Sequence, residues 1–167
     1  MSKVVLQHPT TLEEALNLVE LYIYNMPKAY PDGNTPVLIC LDSIAGSTTE
    51  YEMDSSHNIQ DIKLGEHARL LSRFYREIQR PLSLEKCIFY AINQLKEKIG
   101  GMSWGEEPTD SMIGGNAPLF HSTYQLKIAR TKDLLLPNEH GVDRKVGSRH
   151  IITCKRNKLG REGNSQK

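Results

Sequence analysis

Asp42 and Ser43 follow five consecutive apolar residues, Val37 to Leu41. A carboxylate fixed at the end of a rigid strand is a well-placed ligand for a hard cation such as Mg²⁺, which takes oxygen donors, and the Ser43 hydroxyl is a natural second. The plainer role for Asp42 is to cap the next turn. Asn93 and Gln94 follow a second apolar run, Lys86 to Ile92. If the two runs are parallel strands of one sheet, their ends share the edge at which such sheets bind ligands. A Gln at that edge hydrogen-bonds a phosphate or an attacking water without changing charge. The plain alternative is a pair of polar residues opening a loop.

Three further groups carry charge or open backbone. Arg69, Arg73, Arg76 and Arg80 are spaced 4, 3 and 4 apart, which at about 3.6 residues per turn puts them in one narrow helical stripe. Glu66 and Glu77 flank the stripe without balancing it. Its partners are either the phosphates of a nucleic acid or neighbouring acidic side chains. Gly100, Gly101, Gly105, Gly114 and Gly115 punctuate the long stretch from Lys96 to Asn116, exposing backbone N–H groups and letting chain approach chain. Trp104, the only Trp, lies among them, with Lys96 and Lys98 on one flank. It either stacks on an unpaired base or anchors a folded loop. Lys155, Arg156 and Lys158 form a basic cluster near the end of the chain.

These residues need elements to hold them. TTLEEALNLVELYIYN opens with a capping box, Thr10 with Glu13 or Thr11 with Glu14. Leu12, Ala15, Leu16, Val19, Tyr22 and Ile23 then keep the spacing of an amphipathic helix. Met26 to Pro36 reads as a turn, Val37 to Leu41 as a buried strand, and Gly46 to Asp61 as polar, irregular chain. A second helix from about Ile62 to Arg80 carries Leu64, Ala68, Leu71, Tyr75 and Ile78 on one side, and Pro81 ends it. Lys86 to Ile92 is another apolar strand, Ser122 to Arg130 an alternating one, Leu134 to Lys145 a turn, and Ser148 to Lys155 a last strand. The expected fold class is α/β: a mainly parallel sheet with an antiparallel or mixed edge and flanking helices.

The bulk properties bound the reading. At 167 residues, 38% hydrophobic and 25% charged, the chain suits one folded domain. The net charge of +1 hides an asymmetry. From Arg144 onward eight basic residues face one acid, Glu162, giving +7; the remaining 13 basic and 19 acidic residues give −6. A basic tail on an acidic body fits a polyanion partner or, more plainly, a solvated end. Cys40, Cys87 and Cys154 form no CxxC pair and no HExxH motif is present, so reduced, packed thiols and a cytoplasmic location are expected. No apolar run reaches the roughly 20 residues needed to span a bilayer, so no membrane partner is expected.

A phosphate-gripping P-loop, GxxxxGK[ST], would complete a nucleotide site around Asp42. Gly100 to Gly105 has the glycine spacing, but Glu106 and Glu107 follow and would repel phosphate. Gly141 to Gly147 has one residue too many between its glycines and no following Lys. Neither is a P-loop.

The order of the segments accounts for the gap. LICLDSIAG, a helix with HARLLSRFYRE, FYAINQLKEKIGGM, GGNAPLFHSTYQLKI and a strand ending KRNKLG together resemble the RecA recombinase family over nearly the whole chain, from about Val4. NQLKEKIG and GGNA are specific in combination. The longer turn after Asp42 and the KLGREG ending resemble phage-type RecA-like proteins. In that family the P-loop and the catalytic glutamate precede the helix that opens this sequence. The resemblance therefore implies that residues 1–167 are a partial RecA-like ATPase and DNA-binding core, without the P-loop half or the C-terminal domain.

The resemblance also implies roles. Asp42 matches the Walker B acid that supports Mg²⁺ beside ATP, with Ser43 next to it. Gln94 matches the residue that senses the γ-phosphate and links it to the DNA-binding loop. Gly114, Gly115 and Asn116 match the loop end whose amides hold DNA phosphates, with Lys96 and Trp104 in the loop itself. Arg69 and Arg76 match arginines near the DNA, whereas Arg73 and Arg80 are additions of this sequence. Arg156 and Lys158 match the basic pair that reaches the ATP of a neighbouring filament subunit, and Phe120 an aromatic at that interface. Leu119 stands where the family has a Lys. The implied function is DNA recombination and repair: single-stranded DNA binding and ATP-dependent strand exchange within a complete, filament-forming recombinase, with other RecA-like subunits or a P-loop half as partners. The alternative is a non-enzymatic module that binds DNA or a complete recombinase and modulates it. Either way, a half-sheet leaves an open edge and an uncovered apolar face.

Overall fold

The computed structural model of the chain describes residues 4–31, 33–54, 56, 65–84, 86–97, 110–137, 142–160 and 165–166. They fall into two compact units, Met1–His121 and Ser122–Lys167.

The first unit is built on its two long helices. Helix α1 (Leu12–Ala29) starts at Thr11, whose side-chain oxygen accepts a hydrogen bond from the Glu14 amide at 3.1 Å. The Glu14 carboxylate turns mainly to Thr10, with the Thr11 backbone a weaker influence on it. It accepts from the Thr10 amide and hydroxyl, at 2.7 and 2.8 Å. Helix α3 (Glu66–Leu84) contributes Leu71, Phe74 and Ile78 to the core, and α1 contributes Leu12, Ala15, Leu16, Val19 and Ile23. Each Leu, Ile, Val or Phe side chain fully removed from water stabilises the fold by about 1.5–3 kcal/mol before entropy is counted.

Strands β1 (Val37–Leu41) and β2 (Cys87–Ala91) pair in parallel, Val37 opposite Cys87 and Leu41 opposite Ala91. Ile39, Cys87, Phe89 and Ala91 pack against the helical core. The reading of these strands as buried runs needs correction: Leu38 (62%), Ile88 (65%) and Tyr90 (47%) are exposed on the other face. The apolar alternation is complete, but only one face has helices on it among the described residues.

Three boundaries also differ from expectation. Helix α1 runs through Pro27 instead of stopping at Asn25. Helix α3 runs through Pro81 to Leu84. A proline at position 81 cannot donate to the Glu77 carbonyl four residues back, and the Tyr24 hydroxyl of α1 reaches that carbonyl at 3.5 Å instead. The irregular stretch after Gly46 contains a short helix, α2 (Glu50–Met53), closed by a capping box between Thr49 and Glu52. Past β2, β3 (Leu95–Glu97) pairs antiparallel with β4 (Asp110–Met112), and α4 (Ala117–His121) follows.

The second unit is a long antiparallel ribbon. Strand β5 (Tyr124–Pro137) pairs with β6 (Asp143–Asn157), and β7 (Ser165–Gln166) adds a short third strand. The expected turn at Leu134 to Lys145 is mostly strand: Leu134, Leu135 and Leu136 pair with Gly147, Lys145 and Arg144. Pro137 ends β5, where a missing N–H costs the ladder little. Among the described residues the strands form three separate sheets, one parallel and two antiparallel. The α/β class holds, with the antiparallel part as its own ribbon.

Candidate functional site

The parallel pairing of β1 and β2 decides where the strand ends go. Leu41 is opposite Ala91, the Ile92 amide donates to the Leu41 carbonyl at 2.9 Å, and the Ile44 amide to the Ile92 carbonyl at 3.0 Å. Asp42, Ser43, Asn93 and Gln94 therefore lie at one edge of one sheet. Leu41 and Ile44 are both buried and pin the chain on either side of Asp42, whose side chain is exposed. The Asp42–Ser43 peptide is cis. The Ser43 hydroxyl accepts from the Gly46 amide at 3.1 Å and the Ser43 carbonyl accepts from the Ser47 hydroxyl at 2.8 Å.

A second layer of bonds fixes this turn to the helices. The Leu12 amide donates to the Thr48 carbonyl at 2.8 Å. His67 contacts the Ser47 carbonyl through Nε2 at 3.1 Å, and the fully buried Thr49 donates to Glu66 at 3.3 Å. The T-x-x-E signal at Thr49 was present in the sequence and marks the one firm point of a stretch that otherwise looks irregular.

Across the edge, Asn93 uses both ends of its amide. Nδ2 donates to the Ile113 carbonyl at 2.8 Å, and Oδ1 accepts from the Gln94 amide at 2.9 Å. Gln94 itself is exposed. Gly114 and Gly115 follow Ile113 with φ of 90° and 65°, values that side chains rarely adopt. They also lie close on α3. A Cβ on Gly114 would meet Leu71 Cδ1 at 2.2 Å, and one on Gly115 would meet Ala68 Cβ at 3.2 Å. The glycine pair is thus required twice, by backbone angle and by space.

Arg69, Arg73, Arg76 and Arg80 are all exposed on α3. Arg73 binds Glu77 at 2.8 Å. That hydrogen bond holds the Glu77 carboxyl below its usual range, while burial and the neighbouring Glu77 hold Glu20 of α1 above it. The Arg76 charge also acts on Glu77 from nearby without forming a salt bridge, and neither Arg69 nor Arg80 forms one with an acid among the described residues. The stripe divides, with Arg73 satisfied by acid and the other three facing solvent. Asn116 opens α4 by accepting from the Phe120 amide at 3.0 Å, and Phe120 is 61% exposed. His121 stacks on Tyr75 of α3, ring centroids 5.7 Å apart; burial pushes the Tyr75 hydroxyl up to about 12.

Arg156 and Lys158 belong to the second unit, at and just beyond the end of β6. The Arg156 Nε is buried and finds no acceptor among the described residues. Trp104 and the side chain of Lys96 lie outside the described residues. Sequence reasoning placed Asn93 at the edge but not its double hydrogen bond, which joins positions 20 residues apart and leaves no local pattern.

Among the described residues no three His, Cys, Asp or Glu side chains converge as a metal site. Asp42 alone suits Mg²⁺ held mainly by phosphate oxygens and water, which is how that ion usually binds nucleotides. No helix among the described residues is long and apolar enough to cross a membrane.

Residues 1–162 match the RecA N-terminal domain family. The chain is 30% identical to Protein RecA of Ureaplasma parvum over 159 residues, which cover 95% of this chain and 42% of that protein. It is 31% identical to Protein RecA of Malacoplasma penetrans over 158 residues, 95% of this chain and 43% of the relative. With Protein RecA of Borrelia turicatae the figures are 32% over 154 residues, 92% and 38%. The chain thus spans about two fifths of the length of these relatives. The family match over residues 1–162 carries the conclusion: this chain belongs to the RecA family.

Proposed function

We propose that the chain works in DNA recombination and repair as part of a RecA-like ATPase and DNA-binding core. It binds single-stranded DNA and takes part in ATP-dependent strand exchange once a P-loop half completes the nucleotide site. The observation that carries this reading is the shared sheet edge: Asp42 and Gln94 both lie just past the C-terminal ends of two paired parallel strands, where nucleotides bind in such folds. Bound Mg²⁺ there would neutralise charge on the phosphate oxygens. Asp42, seconded by Ser43, would hold the ion. Gln94 would meet the terminal phosphate through its uncharged amide.

The DNA side of the reading rests on α3 and the glycine turn. Arg69 and Arg76 supply positive charge, and Gly114, Gly115 and Asn116 bring open backbone to the same helix. Lys96 and Trp104 would add a cation and a stacking surface. Phe120 would meet a neighbouring subunit, and Arg156 with Lys158 would reach that neighbour's ATP. The exposed face of β1 and β2 supports a need for further polypeptide, since Leu38, Ile88 and Tyr90 form an apolar surface that a folded assembly covers.

The test is reconstitution. Combined with a P-loop half from a RecA relative, the chain should hydrolyse ATP when single-stranded DNA is present, and Asp42→Asn should abolish it. ATPase activity unaffected by Asp42→Asn would remove the nucleotide role and leave a DNA-binding module.

A further inference from the structure

Most of the candidate site is held by packing, but its two halves meet through one side chain. Asn93 lies between the strand end that carries Gln94 and the turn that carries Gly114. Its carbonyl oxygen holds the Gln94 amide and its NH₂ group holds the Ile113 carbonyl. On the far side, Gly114 rests on the fully buried Leu71 and Gly115 on Ala68. The Ile113–Gly115 backbone is therefore clamped between the sheet edge and α3. The only other described tie across this mouth is the short β3–β4 pairing, three residues on each side.

From this geometry we infer that Asn93 is the positioning residue of the nucleic-acid site. It carries no charge to a phosphate. Its work is to fix the turn whose amides face the ligand, so that ordering this backbone is completed before binding instead of being charged against it. The inference deepens the proposed function and rests on its DNA-binding half.

The amide chemistry makes the assignment specific. An amide of this size donates from one atom and accepts at another, so it can hold two backbone groups that lie apart. Asn93→Ala removes both bonds and leaves the Ile113 carbonyl to water. Asn93→Asp is nearly isosteric and keeps the acceptor for Gln94, but it puts a second acceptor against the Ile113 carbonyl. The aspartate should therefore be worse than the alanine. For a polar residue that merely opens a loop, the order would be equal or reversed.

Two measurements on the full chain test this. The first is hydrogen exchange at the amides of Gln94, Gly114 and Gly115, with a melt to confirm that each variant folds. Exchange should quicken at these positions in Asn93→Ala and further in Asn93→Asp, with the amides of α1 unchanged. The second is fluorescence anisotropy with a labelled single-stranded oligonucleotide at several salt concentrations. Loss of one or two ordering hydrogen bonds predicts affinity weaker by about five- to tenfold, with the dependence on salt unchanged because no cation is lost. Unaltered exchange at all three amides would overturn the assignment. A fall in salt dependence would also overturn it, because Asn93 would then be organising cations instead of backbone. If exchange quickens as expected while the wild-type chain binds no oligonucleotide, the clamp stands as a feature of the fold and the nucleic-acid role is refuted, together with the DNA-binding half of the proposed function.

Discussion

The two units of the chain stabilise charged residues in opposite ways. The first, Met1–His121, carries 10 basic and 16 acidic residues, and the second, Ser122–Lys167, carries 11 and 4. The basic excess of the second unit lies entirely from Arg144 onward, since residues 122–143 carry three basic and three acidic side chains. The first unit has a core of fully buried side chains, and its candidate residues stand on edges and helices that this core fixes. None of the described residues of the second unit is buried. Its Tyr124, Leu126 and Ile128 point to solvent, and Ile128 pairs across the ladder with the equally exposed Ile152. Ladder hydrogen bonds and cross-strand pairs hold it, and a two-stranded ribbon is marginal on those alone. Precision in this molecule is built in the acidic unit, and the basic unit carries charge on a scaffold that asks for a neighbour.

The sharpest way to break this comparison uses one glycine from each unit. Gly114→Ala must accept a φ of 90° and drive a methyl group to 2.2 Å from Leu71. It should destabilise the first unit by about 3 kcal/mol or more. Gly147→Ala meets Leu134 at 3.5 Å, an ordinary contact, and should change stability by no more than about 0.5 kcal/mol. Thermal melts of both variants decide it. Equal losses would mean that the ribbon is as tightly specified as the core.

Core truncation gives a similar contrast. Phe74 is buried among Tyr75 and Phe89, so Phe74→Ala should cost about 3–5 kcal/mol. Ile128→Thr on the open face of the ribbon should cost under about 1 kcal/mol. A large loss from Ile128→Thr would show that this face is covered in solution.

A smaller effect separates the arginines. Arg76→Gln should lower the salt dependence of single-stranded DNA binding by about one phosphate contact, a slope change of roughly 0.7. Arg73→Gln should change it less, because Arg73 is already bound to Glu77. Arg156→Gln, in the basic unit, should leave DNA binding alone and weaken only the ATP-dependent activity of the reconstituted enzyme. Identical salt slopes for the Arg73 and Arg76 variants would mean that the Glu77 bond gives way when DNA arrives.

Much of this was legible in the sequence. Period and capping gave α1, β1, α3 and β2 within a few residues, because each buries a face whose spacing is local. The parallel edge followed from two apolar runs ending in polar residues. The errors fall where the deciding partner is distant. Pro81 looked like a stop because the Tyr24 hydroxyl that meets the orphaned Glu77 carbonyl lies 53 positions away. Leu134 to Leu136 looked like part of a turn because their partners, Arg144 to Gly147, lie beyond a Pro and a Gly that dominate the local signal. The continuous apolar runs of β1 and β2 read as buried on both faces because such a run does not say what covers it, while the expectation of an uncovered apolar face agrees with the exposed Leu38, Ile88 and Tyr90. Asn93 was visible as a polar residue at an edge, and only the structure gives it two partners.

The smallest contrast is one of sign with pH. Hydrogen bonds from Arg130 and Lys145 hold the Asp133 carboxyl of the ribbon below its ordinary value of 3.8. The folded ribbon therefore binds that proton more weakly than the unfolded chain. The resulting stabilisation is complete above about pH 4 and is lost as pH falls through the lower folded value. Glu20 in the first unit behaves oppositely. Burial, then the Glu77 carboxyl beside it, holds Glu20 above its ordinary value of 4.5. Its contribution is present below that value and is lost as pH rises through the raised one. Carboxyl NMR titrations should give a depressed midpoint for Asp133 and an elevated one for Glu20, and Arg73→Gln should bring Glu20 and Glu77 closer together. Mild acidification should then favour the contact between α1 and α3 before it begins to loosen the ribbon. The Asp133 shift comes from its hydrogen bonds and the nearby charges, so salt should shrink it, whereas the Glu20 shift comes first from burial and should respond less to salt. A Glu20 midpoint at or below 4.5 would dissolve the contrast and make both units respond to acid alike.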